Sequence, residues 1–262
     1  MDPACWIDGR VVGRQDVLAR ENELIARRGC YTTARVRQGR ARWLERHVRR
    51  LQRDGRQLGI GEVAAERIQA AFAELSEATF GDGEGIVRLQ ASASHDGAAH
   101  LVGMARSIGE ERPAWRAITA PAQHEGWTPF SGVKRTHDPV LARTRDALQR
   151  AGADEAVLFD DAGFAIEGSR TNLFLVDRED VLVTPDLARG GVAGIAREIV
   201  LERGVDIVVR SVTRAELAAA REIIAVNAVR GARPVVSLDD ESVGDGRPGR
   251  AARALAALLA DE

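Results

Sequence analysis

The chain has 262 residues, 45% of them hydrophobic and 29% charged, with a formal net charge of −2. That length and composition fit one large or two smaller soluble globular domains with ample core. The charge balance argues against a polyanion-binding surface, so no nucleic-acid partner is expected. No apolar run approaches the ~20 residues of a membrane span, and residues 1–6 lack the basic-then-apolar pattern of a secretory signal. Cys5 and Cys30 are far apart, and the five histidines form neither HxH nor HExxH. The expectation is a cytoplasmic protein with reduced thiols, no metal and no membrane contact.

In chain order, Asp8-Gly9 between short β-prone stretches at 5–7 and 10–13 predicts a hairpin. Residues 29–37 are β-rich, and Gln38-Gly39 turns them into a strand over 40–43. Apolar residues at 44, 48, 51 and 58 make a helical stripe that Gly59 and Gly61 end. A second helix over 63–80 and strands over 85–93 and 100–108 follow. Residues 110–127, with Pro113, Pro121 and Gly126, predict an interdomain link, taken as 113–126, between an N-terminal domain (1–112) and a C-terminal domain (127–262). Beyond it come a helix over 139–152 and strands over 156–159, 165–167, 172–176 and 181–184. A glycine-rich loop opens a helix over 195–203. Strands over 206–209, 222–226 and 234–238 and a terminal helix over 251–259 complete a mixed α/β (α+β) chain in two layers or domains.

One residue stands out chemically. Lys134 is the sole lysine beside 36 arginines. Arginine replaces lysine wherever a fixed charge is wanted, but its guanidinium stays protonated and cannot act as a nucleophilic amine. Lys134 is therefore either a chance surface lysine or a residue kept for a Schiff base, to a carbonyl substrate or to pyridoxal phosphate. Three further segments carry possible chemistry. The stretch from Glu167 to Phe174 begins with an acid at a strand end, which could equally be a surface residue. Gly190 to Arg197 is a glycine-rich turn opening a helix, where backbone N–H groups and the helix dipole suit a phosphate. In His47-Val48-Arg49-Arg50-Leu51 an arginine on one helix face could clamp a phosphate or lie in solvent.

Taken in order, these residues resemble the class IV aminotransferases, pyridoxal-phosphate enzymes of fold type IV. The matching motifs are H-x-x-R-L at 47–51, the mid-chain Lys134, E-G-x-x-x-N-x-F at 167–174, Thr184-Pro185 and G-x-x-x-G-I-x-R at 190–197. The resemblance runs from Trp6-Ile7-Asp8-Gly9 to Pro234-Val235. It implies two domains with the cofactor at their interface, a homodimer, and small amino and oxo acids as substrates. Lys134 would be the catalytic imine-forming lysine and proton shuttle, and Glu167 would pair with the pyridine nitrogen. Arg50 and the N–H groups of Ile195 and Ala196 would hold the phosphate, Asn227-Ala228 would supply a second phosphate turn, and Asn172 would orient the Glu167 strand.

Some positions depart from the family pattern. Branched-chain relatives place a tyrosine five residues after the lysine, where this chain has Pro139. The acidic, glycine-rich turn before Cys30 is replaced by Ile25-Ala26-Arg27-Arg28-Gly29, and Ala91-Ser92-Ala93-Ser94 stands in place of a threonine-arginine-glycine. Tyr31-Thr32-Thr33-Ala34-Arg35-Val36 resembles the corresponding strand of aminodeoxychorismate lyase. Arg28 and Arg88, with Tyr31, are candidates to meet a substrate carboxylate. The order of expectation is a D-amino-acid transaminase, then the lyase, then a branched-chain transaminase, with a non-enzymatic binding relative as the contrasting class.

Overall fold

The computed structural model describes residues 5–13, 28–93, 99–204 and 206–260. It divides into two units. The first holds the described residues up to Glu111 together with Val133–His137, and the second holds Arg112–Gly132 and the described residues from Asp138 onward.

The first unit is built on an antiparallel sheet of order β2-β1-β6-β5-β3-β4. Its strands are β1 (Cys5–Ile7), β2 (Arg10–Val12), β3 (Gly29–Arg37), β4 (Arg40–Ala41), β5 (Glu84–Ala93) and β6 (Ala99–Arg106). Both short hairpins turn through residues with positive φ, Asp8-Gly9 and Gln38-Gly39, as two-residue connections require. Helices α1 (Leu44–Gln57) and α2 (Ala65–Phe80) cover the sheet. Leu51, Ile68, Phe72 and Leu75 from the helices join Leu89 and Leu101 from the strands in one buried cluster. The buried face of α1 is unusual, because His47, Arg50 and Asp54 share it with Val48 and Leu51.

The sequence reading put Lys134 in the 127–262 domain, but its short segment groups with the first unit. β4 is only two residues long and pairs with the far end of β3, at Val36 and Arg37. The near end of that edge therefore needs other partners for its backbone groups. Val133–His137 supplies them. Tyr31 N–H donates to Lys134 O (2.9 Å), Thr136 N–H donates to Gly29 O (2.9 Å), and Cys30 bridges Arg135. Gly29 is obligatory here, since a Cβ would collide with the Ala91 carbonyl.

The second unit carries a mixed sheet of order β12-β11-β10-β13-β14-β7-β8-β9, with β15 paired to β14. The strands are β7 (Trp115–Thr119), β8 (Glu155–Phe159), β9 (Ala165–Gly168), β10 (Asn172–Val176), β11 (Leu182–Pro185), β12 (Ile207–Arg210), β13 (Glu222–Asn227), β14 (Gly231–Leu238) and β15 (Glu241–Ser242). The helices are α3 (Pro139–Ala151), α4 (Ile195–Arg203), α5 (Arg214–Ala218) and α6 (Arg250–Leu258). Strand β7 lies inside the stretch read from sequence as an interdomain link. Its prolines only flank it, and Trp115 and Ala117 are buried around exposed Arg116, a short half-buried alternation. Caps fix the helices. Asp138 accepts from Val140 N–H (2.9 Å) ahead of α3, and Glu222 accepts from Ala251 and Ala252 N–H (3.0 and 2.9 Å) at the start of α6. Short α5, absent from the sequence reading, is set by a Thr213/Glu216 capping box. Among the described residues, no helix is long and apolar enough to cross a membrane.

Candidate active site

In the first unit, Lys134 has both peptide groups held. Its carbonyl accepts from Tyr31 N–H, and its N–H donates to Asp54 Oδ2 (3.0 Å). Its Nζ lies 5.0 Å from the centroid of the Tyr31 ring, and the Arg88 guanidinium stacks on the same ring at 3.7 Å. Strand pairing explains the meeting. Arg88 on β5 is opposite Thr33 on β3, one diagonal step from Tyr31. Lys134, Tyr31 and Arg88 thus converge, whereas Arg28 is exposed in the loop before β3. Of the departures noted above, residues 25–27 and Ser94 lie outside the described residues.

Arg50 lies on the buried face of α1 with 6% of its surface exposed. One turn earlier, the fully buried His47 faces Thr32 Oγ1 through Nδ1 (2.5 Å), and its Nε2 has no hydrogen-bond partner among the described residues. Burial, reinforced by the Arg50 charge, pushes the imidazole down to about 3. His47 is therefore neutral at physiological pH and adds no second positive charge beside Arg50. Cys30 beside it is an inert thiol, pushed up to about 12 by burial and then by the Asp54 charge.

In the second unit, Glu167 is the penultimate residue of β9, with 8% exposure. Its Oε2 accepts from Val192 N–H (2.8 Å) and more weakly from Asn172 Nδ2 (3.4 Å). Asn172 Nδ2 also donates to Val192 O (2.9 Å), so the first residue of β10 ties the carboxylate to the glycine loop. The loop leaves little room for side chains. Gly190 and Gly191 have positive φ, and a Cβ on Gly194 would strike Asn172 Oδ1. Gly132 braces it, donating to Gly191 O (2.8 Å) and accepting from Ala193 N–H (3.0 Å). Gly194 then opens α4 without a side-chain cap. The N–H groups of Ile195 and Ala196 precede any intrahelical acceptor, at the positive end of the helix dipole.

Several supporting residues were not assigned roles from sequence. Buried Arg197 donates to Thr184 Oγ1 (3.2 Å) and Pro185 O (3.0 Å), so the T-P pair and the final arginine of the G-x-x-x-G-I-x-R stretch lock α4 to β11. Buried Glu155 accepts from Ser169 Oγ (2.5 Å) and Thr171 Oγ1 (2.9 Å), closing the turn between Glu167 and Asn172. Asn227, expected from sequence in a second phosphate turn, accepts through Oδ1 from Val229 and Arg230 N–H (3.0 and 2.7 Å), which commits those two donors to the turn that carries Ala228.

The family model for amino-transferase class IV matches residues 29–238. The chain belongs to the class IV aminotransferases. This is a family of pyridoxal-phosphate-dependent enzymes. Over its length the chain is similar to 4-amino-4-deoxychorismate lyase from Pseudomonas aeruginosa, with a TM-score of 0.82, 28% identity and 98% of each chain covered. It is 25% identical to D-alanine aminotransferase of Bacillus licheniformis over 238 residues, 84% of this chain and 82% of that one. It is 34% identical to the branched-chain-amino-acid aminotransferase of P. aeruginosa over 110 residues, 39% of this chain and 35% of the relative. The matched part spans only 34–41% of the length of the branched-chain relatives it matches in sequence.

The donor set fits the family's cofactor chemically. A phosphate monoester needs a cation or free N–H groups; the first unit offers the cation of Arg50 and the second the glycine-capped start of α4. A pyridine nitrogen needs a fixed carboxylate, met by Glu167, and an aldehyde needs a primary amine, met only by Lys134 among the side chains.

Proposed function

We propose that this protein is a pyridoxal-phosphate-dependent transaminase that moves an amino group between an amino acid and a 2-oxo acid. The observation that carries this reading is the meeting of Lys134, Tyr31 and Arg88. A nucleophilic amine and an arginine both lie against the Tyr31 ring, a pairing of groups that suits a substrate presenting an amine and a carboxylate on one carbon. Gly132, which braces the Gly191–Gly194 loop, is two residues before Lys134 in the chain.

When bound, pyridoxal phosphate supplies an electron sink for the bond broken at the substrate α-carbon. The chain's own groups do the rest. Lys134 Nζ carries the proton to and from the α-carbon, being the one side-chain amine available. Glu167, clamped by Val192 N–H and Asn172, holds a proton at the ring nitrogen. Arg50, Ile195 and Ala196 hold the phosphate, aided by the Asn227-Ala228 turn. Arg88, with Tyr31 as its platform, orients the substrate carboxylate, and Arg28 is proposed as an accessory cation. A homodimer acting in the cytoplasm is the matching expectation for such an enzyme.

D-amino acids are the favoured donors, supported by the near full-length likeness to D-alanine aminotransferase. Aminodeoxychorismate lyase activity is the second reading, supported by the likeness to that lyase across 98% of both chains and by the Tyr31–Val36 strand. Branched-chain activity comes third, because its sequence likeness covers less than half of the chain. The test is to give the holoenzyme D-alanine, L-alanine, L-leucine and aminodeoxychorismate separately. Pyruvate from D-alanine with a 2-oxo acid acceptor is the expected result. Release of 4-aminobenzoate with no amino transfer would replace it with the lyase.

A further inference from the structure

We propose that Asp54 is a positioning residue for Lys134, fixing the main chain from which the reactive amine extends. The role rests on the reading above that Lys134 is the reactive lysine. Asp54 lies one turn after Arg50 on the buried face of α1, and none of its side chain is exposed. Its two carboxylate oxygens are divided. Oδ1 accepts from Arg53 Nε (2.9 Å) and Nη2 (2.8 Å), and Oδ2 accepts from Lys134 N–H (3.0 Å).

This division has a physical purpose. A buried carboxylate is costly unless paired, and Arg53, whose side chain is 44% exposed, supplies the counter-charge from the solvent side. Both Arg53 bonds fall on one oxygen, so the other is left directed at the lysine's peptide. The Lys134 carbonyl is already taken by Tyr31 N–H. The peptide N–H before the Cα and the carbonyl after it are thus held from two different elements, α1 and β3. The Cα is fixed and only the side-chain torsions stay free. Arg50 and Asp54 are four residues apart, so one rigid helix carries both the proposed phosphate cation and the anchor of the lysine. The reach of Nζ relative to a phosphate held by Arg50 is then set by a helix and not by a loop.

The test pairs a measurement on the chain itself with kinetics. Hydrogen exchange on the full-length protein should show a protected Lys134 amide in wild type. In Asp54→Ala that amide should exchange at least about tenfold faster, while amides of β3 and β5 keep their protection. In the holoenzyme, Asp54→Ala should lower kcat of the amino-acid half-reaction roughly ten- to a hundredfold, with KM within about twofold. Asp54→Asn keeps an acceptor at the same reach and should recover most of both losses. If Asp54→Ala does not fold, Asp54→Ser and Arg53→Ala decide, each expected to shift exchange and kcat in the same direction by less. A working enzyme in which these variants leave the Lys134 amide and kcat unchanged would overturn the positioning role alone. So would a uniform fall in protection with kcat preserved. A wild-type protein that takes up no pyridoxal phosphate would overturn the proposed function, and this role with it.

Discussion

Replacing His47 by asparagine should flatten the acid limb of the stability curve. His47 is fully buried, touches Thr32 through Nδ1 and packs its ring against Phe72 at 5.8 Å. In the folded chain it takes up a proton only near 3, whereas an unfolded histidine does so near ~6.5. The folded value is the lower one, so the unfolded state binds more protons between these limits. The stabilisation is complete above about pH 6.5 and is lost progressively as pH falls toward 3. Each pH unit inside that window is worth about 1.4 kcal/mol, so between pH 7 and 4.5 this one residue accounts for about 2.5 kcal/mol of lost stability. The assay is urea unfolding at several pH values on the cofactor-free protein, followed by exchange protection of α1 so that the unfolding of this unit is read directly. An asparagine side chain does not titrate, so the wild-type curve should be steeper than that of His47→Asn by about 1.4 kcal/mol per pH unit, whatever the variant loses at neutral pH. Parallel curves for the two proteins would refute the neutral, buried state of His47.

Four other outcomes are expected. Lys134→Arg should keep native circular dichroism and lose the visible absorbance band of the cofactor-loaded protein, since arginine cannot condense with an aldehyde; a retained band with turnover would contradict this. Arg50→Ala should weaken cofactor retention roughly ten- to a hundredfold, about 1.5–3 kcal/mol for a charge-assisted contact, as measured by dialysis and cofactor quantitation. Glu167→Gln should retain the cofactor but slow the amino-acid half-reaction by about 10²–10³, the range for loss of a preorganised charge; stopped-flow rates equal to wild type would remove Glu167 from the site. Arg88→Ala should impair turnover of an amino acid far more than that of a carboxylate-free primary amine, and equal losses on both would mean that Arg88 only supports Tyr31.

Much of the fold was legible because the chain's periodicities are clean. Strand β3 and helix α4 have the bounds the sequence suggested, and the α1 stripe differs by a single residue at its end. Three things were not legible. Strand β7 is five residues long between two prolines, so its alternation was too short to outweigh the breakers around it. β14 begins at Gly231, earlier than the predicted 234, because Asn227 folds the turn with its own side chain and Gly231 takes positive φ. The placing of Lys134 beside β3 depends on pairing between residues more than a hundred positions apart, and no local pattern encodes that. In the candidate site, the proposed chemical groups could be named from sequence and their supporting residues could not. Lys134, Glu167 and Arg50 could be proposed from the order of their motifs and the family resemblance these carry. Asp54, Glu155 and Gly132 could not, because a buried carboxylate and a bracing glycine look like any others until their partners are known.

The buried face of α1 joins these observations. His47, Arg50 and Asp54 recur at steps of three and four, the spacing that elsewhere on the helix is filled by Val48, Leu51 and Gly55. Stability alone would favour apolar side chains at all three positions, since burying a polar or ionised group is costly even when it finds partners. The chain places its polar groups there one helical turn apart and gives each a different neighbour or task. Neutral His47 meets Thr32, Arg50 supplies the positive charge of this face, and Asp54 is shared between Arg53 and the Lys134 peptide. Such local departures from an apolar core motivate the proposal that α1 carries part of the site. An apolar triple replacement at 47, 50 and 54 would then be expected to hold or raise the stability of the first unit below pH 6 while abolishing cofactor retention. If instead it unfolded the unit at neutral pH, the stripe would be structural and the case for α1 as the carrier of the site would fail.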